Sequence, residues 1–197
     1  MKKILFSILF ICLIWYIFFY PDEVSLGPGV MAPDIPLQDK IAKPETHRVN
    51  DFTISPVATF SIKAKVLSRK DYHFGREADL SPVDLALGWG RMSDESVLDK
   101  IDISQSGRWY RWRVDAFPIP QREIETHSAN MHLIPANTAV ARAIDKVRNG
   151  DLVEFSGSLV NIAADDGWHW NSSRTRDDTG NGSCELIWVD SFKVVTL

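Results

Sequence analysis

The chain has 197 residues, 45% hydrophobic and 24% charged, the proportions of a folded domain with an appendage. A formal net charge of -4 gives no global pull toward nucleic acid or anionic lipid, so any basic recognition surface must be local. The two cysteines, Cys12 in an apolar run and Cys184 in the globular part, exclude a disulfide framework and a multi-cysteine metal site.

After Met1-Lys2-Lys3, the stretch from Ile4 to Tyr20 carries no charge. At ~1.5 Å per residue it spans about 25 Å, the short end of what a bilayer requires. Trp15, Tyr16, Phe18, Phe19 and Tyr20 suit a membrane interface. A cleaved secretory signal is the alternative. Its small-x-small candidates, Ser25-Leu26-Gly27 and Val30-Met31-Ala32, are each followed by proline, and Ile11 before Cys12 removes a lipid-attachment motif. Residues 1–20 therefore read as an uncleaved signal anchor. Lys2 and Lys3 before it and Asp22 and Glu23 after it orient it N-in, across a bacterial inner membrane, with the remainder periplasmic or extracellular.

Residues 21–50 hold Pro21, Pro28, Pro33, Pro36 and Pro44 with Gly27 and Gly29, and no apolar period. That composition reads as a semi-extended tether, with the run Val30–Pro36 able to dock on the domain.

Residues 51–197 carry the domain. Thr59–Leu67 alternates, with Phe60, Ile62, Ala64 and Val66 inward, and reads as a half-buried strand. Ser81-Pro82-Val83-Asp84 has the signature of a helix start and Gly88 of its end; a second short helix is expected over Asp94–Ile101, capped by Ser93. Gly107–Val114 and the stretch from His127 to Ala136 read as strands. Alternation places Trp109, Arg111 and Arg113 on one face of the first, opposite Tyr110, Trp112 and Val114. On the second it groups Ser128, Asn130 and His132 against His127, Met131 and Leu133. Asn137 caps a third helix that stops at Asn149-Gly150. Strands over Asp151–Val160, around Trp168 and Trp170, and over Cys184–Val195 complete the pattern, with Gly157 marking a bulge or bend.

This order predicts a mainly β fold with short helices (α+β), an OB-like β-barrel whose helix lies between its third and fourth strands. The phrases LSPVDLALGWGRMSD and HSANMHLIPA resemble an uncharacterised family of membrane-anchored bacterial proteins. The resemblance covers most of the domain and implies no activity, cofactor or site residue.

On the OB scheme, the second and third strands form a binding wall. Trp109, Arg111 and Arg113 would join Asn130 and His132 there, a tryptophan to stack on a planar or sugar ring and guanidiniums to hold anionic groups. The first reading is thus an extracytoplasmic binding or assembly module for a protein partner or envelope polymer. The second is an envelope hydrolase using His132 with Ser128 or Asn130, assisted by Asp177 or Asp178. No G-x-S-x-G or H-E-x-x-H occurs. The loop from Asp177 imitates a calcium loop, but its twelfth position is Trp188 rather than glutamate, which makes Asp177 and Asp178 weak metal candidates. No cofactor is expected.

Overall fold

The computed structural model describes Phe10 and residues 23–175 and 184–196. The expected anchor over residues 4–20 lies, Phe10 aside, outside the described residues, as do Asp177 and Asp178. No helix among the described residues is long and apolar enough to cross a membrane.

The fold is mainly β with short helices. In chain order its elements are β1 (Leu37–Asp39), β2 (His47–Val49), β3 (Phe52–Asp71), α1 (Arg76–Leu80), β4 (Val83–Gly88), α2 (Glu95–Leu98), β5 (Asp102–Ser106), β6 (Trp109–Arg113), α3 (Gln121–Thr126), β7 (Ser128–Pro135), α4 (Thr138–Ile144), β8 (Leu152–Ala164), β9 (His169–Asn171) and β10 (Glu185–Val194). Pairing runs β3–β4–β7–β10–β8 and returns from β8 to β3, so the sheet curls back on its first strand. The β7–β10 pair is parallel; the other pairs on this path are antiparallel.

The length of β3 makes the closure possible. Its first part, Phe52 to Lys65, pairs with β8, and its second, Lys65 to Asp71, pairs with β4. Register shifts at Pro56/Ala58 and Val66/Ser68 bend it between the two partners, as bulges do. Gly157 sits where β8 meets β10 most closely: a Cβ there would lie 1.9 Å from the Trp188 carbonyl oxygen. The predicted bend at Gly157 is a close approach beside the register shift in β10.

The curled sheet encloses one core. Phe60, Ile62, Ala64 and Val66 of β3 meet Leu85 and Leu87 of β4, Met131 and Leu133 of β7, Phe155 and Leu159 of β8, and Ile187 and Val189 of β10. Helix α4 closes one end with Val140 and Ile144, capped by Asn137 Oδ1, which accepts from the amides of Ala139 and Val140. A second apolar cluster gathers Phe52, Ile54, Ile134, Ile162, Leu186 and Trp188, with Trp168 and Trp170 packed against it. The third, around Met92, Val97, Ile101, Ile119 and Ile124, receives Ile103 and Trp112.

Four expectations are corrected. The helix expected from Asn137 to a stop at Asn149-Gly150 ends earlier, at Ile144. The segment from Val83 to Gly88 is strand β4, not a helix, because all six of its residues are buried. A strand covered on both faces loses the alternation that would have revealed it, and the Ser-Pro start then reads as a cap. The helix expected over Asp94–Ile101 is only Glu95–Leu98, and its cap is Asp94 rather than Ser93. His127 caps the end of α3 instead of joining the core face of β7; its Nδ1 lies 3.0 Å from Thr126 Oγ1 and its ring leans on Trp89.

Candidate functional site

β5 and β6 form a hairpin apart from the main sheet, turned by Gly107 and Arg108, both at positive φ (58° and 70°). Such a turn matches the right-handed strand twist, but at Arg108 it places a Cβ-bearing residue where glycine is preferred. The register opposes Asp102 to Arg113, Ser104 to Arg111 and Ser106 to Trp109. Those six side chains share the outer face, and Ile103, Gln105, Tyr110 and Trp112 share the inner one.

The inner face is fastened to the outside of β4 and β7. Tyr110 Oη donates to Ser128 Oγ at 3.1 Å, and Ser128 Oγ donates to the Ile124 carbonyl at 2.6 Å. Burial pushes the Tyr110 hydroxyl up to about 12, against the pull of its bond to Ser128. At the tip, Arg108 Nη1 donates to Asp84 Oδ1 at 2.6 Å and to the Ser81 carbonyl at 2.9 Å. The guanidinium lies 3.8 Å from the Tyr72 ring centroid, while Tyr72 Oη accepts from the Arg108 amide at 2.9 Å. Asn130 Nδ2 donates to the Arg108 carbonyl at 3.2 Å.

Asp84 and His132 face each other across β4 and β7, at 0% and 2% exposure. His132 Nδ1 is 2.9 Å from Asp84 Oδ1, and Trp170 covers the imidazole at 4.8 Å between ring centroids. The alternation of β7 is as predicted: Ser128, Asn130 and His132 leave on one side, and Met131 and Leu133 enter the core. The predicted wall is not. β6 pairs with β5 instead of β7, so Trp109, Arg111 and Arg113 lie one layer above Ser128, Asn130 and His132. The hairpin covers Ser128 and Asn130, and Trp170 covers His132.

On the upper layer Arg111 and Arg113 are exposed and Trp109 is half-buried. Arg113 pairs with Asp102 at 2.7 Å and Arg111 donates to Ser106 Oγ at 2.8 Å; both contacts are on the surface, where such pairs contribute little. Tyr110 and Trp112 face inward as predicted but are half-buried, Trp112 packing on a side cluster and Tyr110 reaching Ser128 instead of the enclosed core.

A second constellation escaped the sequence reading. Ser93, Asp94 and Glu95 stand consecutively and accept from the backbone of the proline-rich segment. Ser93 Oγ takes the amides of Met31 and Ala32, Asp94 Oδ1 that of Gly29, and Glu95 those of Leu26 and Gly27, with the Ser25 hydroxyl. Lys65, 3% exposed, donates to Glu95 Oε1 at 2.7 Å and to the Gly150 carbonyl at 3.1 Å. Desolvation raises the Glu95 carboxyl, but Lys65, the Leu26 amide and Ser25 together outweigh it and hold the group at about 2. The Val24 amide donates to Asn149 O at 2.8 Å, Ala32 is 1% exposed, and β1 adds to β3. Residues 24–39 thus lie along the domain as a strap. The signal was present as three successive acceptors and the glycines at 27 and 29, but their meeting is long-range.

Among the described residues no three His, Cys, Asp or Glu side chains are placed to hold a metal ion. No family model, curated protein or solved structure matches the chain.

Proposed function

We propose that this chain is a membrane-anchored extracytoplasmic binding module on an OB-like barrel, recognising an anionic protein partner or envelope polymer through Trp109, Arg111 and Arg113. Three features support the OB-like reading: the return of the pairing to β3, the parallel β7–β10 pair, and the single helix α4 between β7 and β8. The anchored, N-in placement in a bacterial inner membrane rests on the uncharged run before Pro21 and its flanking charges.

One observation carries the choice of binding over chemistry. The described groups of the hydrolase reading are engaged: Ser128 with Ile124 and Tyr110, Asn130 with Arg108 of the hairpin, and His132 against Asp84 and Trp170. The inner face of the hairpin is spent on this fastening, and its outer face presents two exposed guanidiniums beside a tryptophan. A general base needs reach to a substrate proton, which a histidine at 2% exposure lacks.

The test is capture of envelope components by the full chain, compared with Arg111→Ala/Arg113→Ala. The double variant is expected to fold normally and lose capture, and capture by the unaltered chain is expected to weaken with salt, since exposed charges are screened over about 8–10 Å at physiological ionic strength. Unchanged capture, or an activity that vanishes in His132→Ala while binding survives, would refute the reading.

A further inference from the structure

We infer that the strap seats the domain directly on the bilayer, with the end of the fold built from Val24, Asp99, Lys100, Lys146 and Asn149 apposed to the lipid headgroups. The inference rests on the anchored reading and fixes what that reading leaves open, the standoff and orientation of the module. A proline-rich tether of thirty residues would let the domain range tens of ångströms from the membrane, at ~3 Å per residue. The strap removes that freedom, because among the described residues its first fixed point is Val24, bonded to Asn149 and pressed on Gly150. A Cβ on Gly150 would lie 1.8 Å from the Val24 carbonyl oxygen.

Only Pro21, Asp22 and Glu23 separate Val24 from the end of the apolar run at Tyr20. Four Cα steps reach at most about 14 Å. That length places Val24, and whatever surrounds it, at headgroup depth. Glu23, Val24 and Ser25 line a cavity of about 580 Å³ with Asp99, Asn149 and Gly150; Lys100, next to Asp99 in the chain, and Lys146, three residues before Asn149, are exposed.

The opposite end of the fold is set by β3. Lys65, beside the strap, and Phe52 are thirteen residue steps apart on one strand, up to about 43 Å at ~3.3 Å per step. Phe52 pairs with Ala164, so Asp165 belongs to the distal end. The base of the hairpin belongs to the proximal end, since Ile101 and Ile103 line the same cavity as Val24. Arg113, opposite Asp102 at that base, therefore works close to the membrane, and the partner of the hairpin face is one that lies against the bilayer.

The experiment uses the full chain, carrying Cys12→Ser and Cys184→Ser, in phosphatidylcholine–phosphatidylglycerol vesicles doped with a headgroup-nitroxide lipid. Single fluorophores are placed through Lys100→Cys, Lys146→Cys or Asp165→Cys. Labels at 100 and 146 are expected to lose their emission to the quencher, and the label at 165 to keep it. A Gly/Ser spacer inserted between Glu23 and Val24, which alters no residue of the domain, is expected to restore emission at 100 and 146. Release of the chain by alkaline carbonate refutes the anchored reading itself. Retention in the membrane with equal quenching at all three positions, or no response to the spacer, overturns the seating alone.

Discussion

Removing the Arg108 side chain tests what holds the hairpin down. In Arg108→Ala, the carboxylate of Asp84 stays at 0% exposure and loses the guanidinium 2.6 Å from its Oδ1. Its Oδ2 has no hydrogen-bond partner among the described residues, leaving His132 Nδ1 at 2.9 Å as its nearest polar neighbour. Breaking a buried pair from one side costs about 3–5 kcal/mol, because a buried charge is left uncompensated. The Arg108 side chain is 18% exposed, so part of its own solvation is retained and the lower end applies, about 3 kcal/mol. For a chain of this size that lowers the melting temperature by roughly 6–12 °C.

Urea unfolding followed by tryptophan fluorescence measures the loss, and two further variants locate its origin. Adding Asp84→Asn to Arg108→Ala is expected to recover part of the stability, since the amide buries no charge. Arg108→Gly is expected to be milder than Arg108→Ala by about 1 kcal/mol, because φ of 70° strains an alanine and not a glycine. A cost below about 1 kcal/mol for Arg108→Ala, or no recovery on neutralising Asp84, would refute the claim that this pair latches the hairpin.

Three more outcomes follow from the same contacts. Glu95 is held at about 2, well below its ordinary value, so its contribution is full above about pH 4.5 and is lost as pH falls toward 2. The strap should loosen over that window, read by proteolysis between residues 23 and 32, and Glu95→Gln should flatten the response. Tyr110 stays protonated up to about 12 in the folded chain while an unfolded tyrosine ionises near about 10, so stability should fall between those values. Tyr110→Phe should abolish that alkaline loss, followed by tyrosinate absorbance, at a cost of about 1 kcal/mol for the bond to Ser128. Trp112→Ala, which uncovers Ile103 and the cluster around Met92, should cost about 2–3 kcal/mol, and Arg111→Ala under about 0.5. Equal losses in chemical denaturation would mean that the two faces of β6 are reversed.

Local pattern determined a good deal. The inward set of β3, the cap at Asn137 and the alternation of Ser128, Asn130 and His132 each depend on neighbours a few residues away, and each is legible in the chain. The same holds for the opposed faces of β6, where exposed Arg111 and Arg113 alternate with inward Tyr110 and Trp112. What the pattern could not convey is which face ends up in water. Ser128, Asn130 and His132 are polar and point away from the enclosed core, so their side of β7 reads as solvent-facing. They are buried because chain from elsewhere folds over them, the hairpin over Ser128 and Asn130 and Trp170 over His132, and each finds its partner on a distant segment. Strand β4 was lost for the same reason, its two faces covered by the core and the hairpin. The proline-rich segment has no apolar period because what fixes it to Ser93, Asp94 and Glu95 is largely its backbone amides. Periodicity records how a residue differs from its sequence neighbours, whereas burial beneath a second layer and capture of a backbone are set by chain brought back from tens of residues away, and only the tertiary structure decides those.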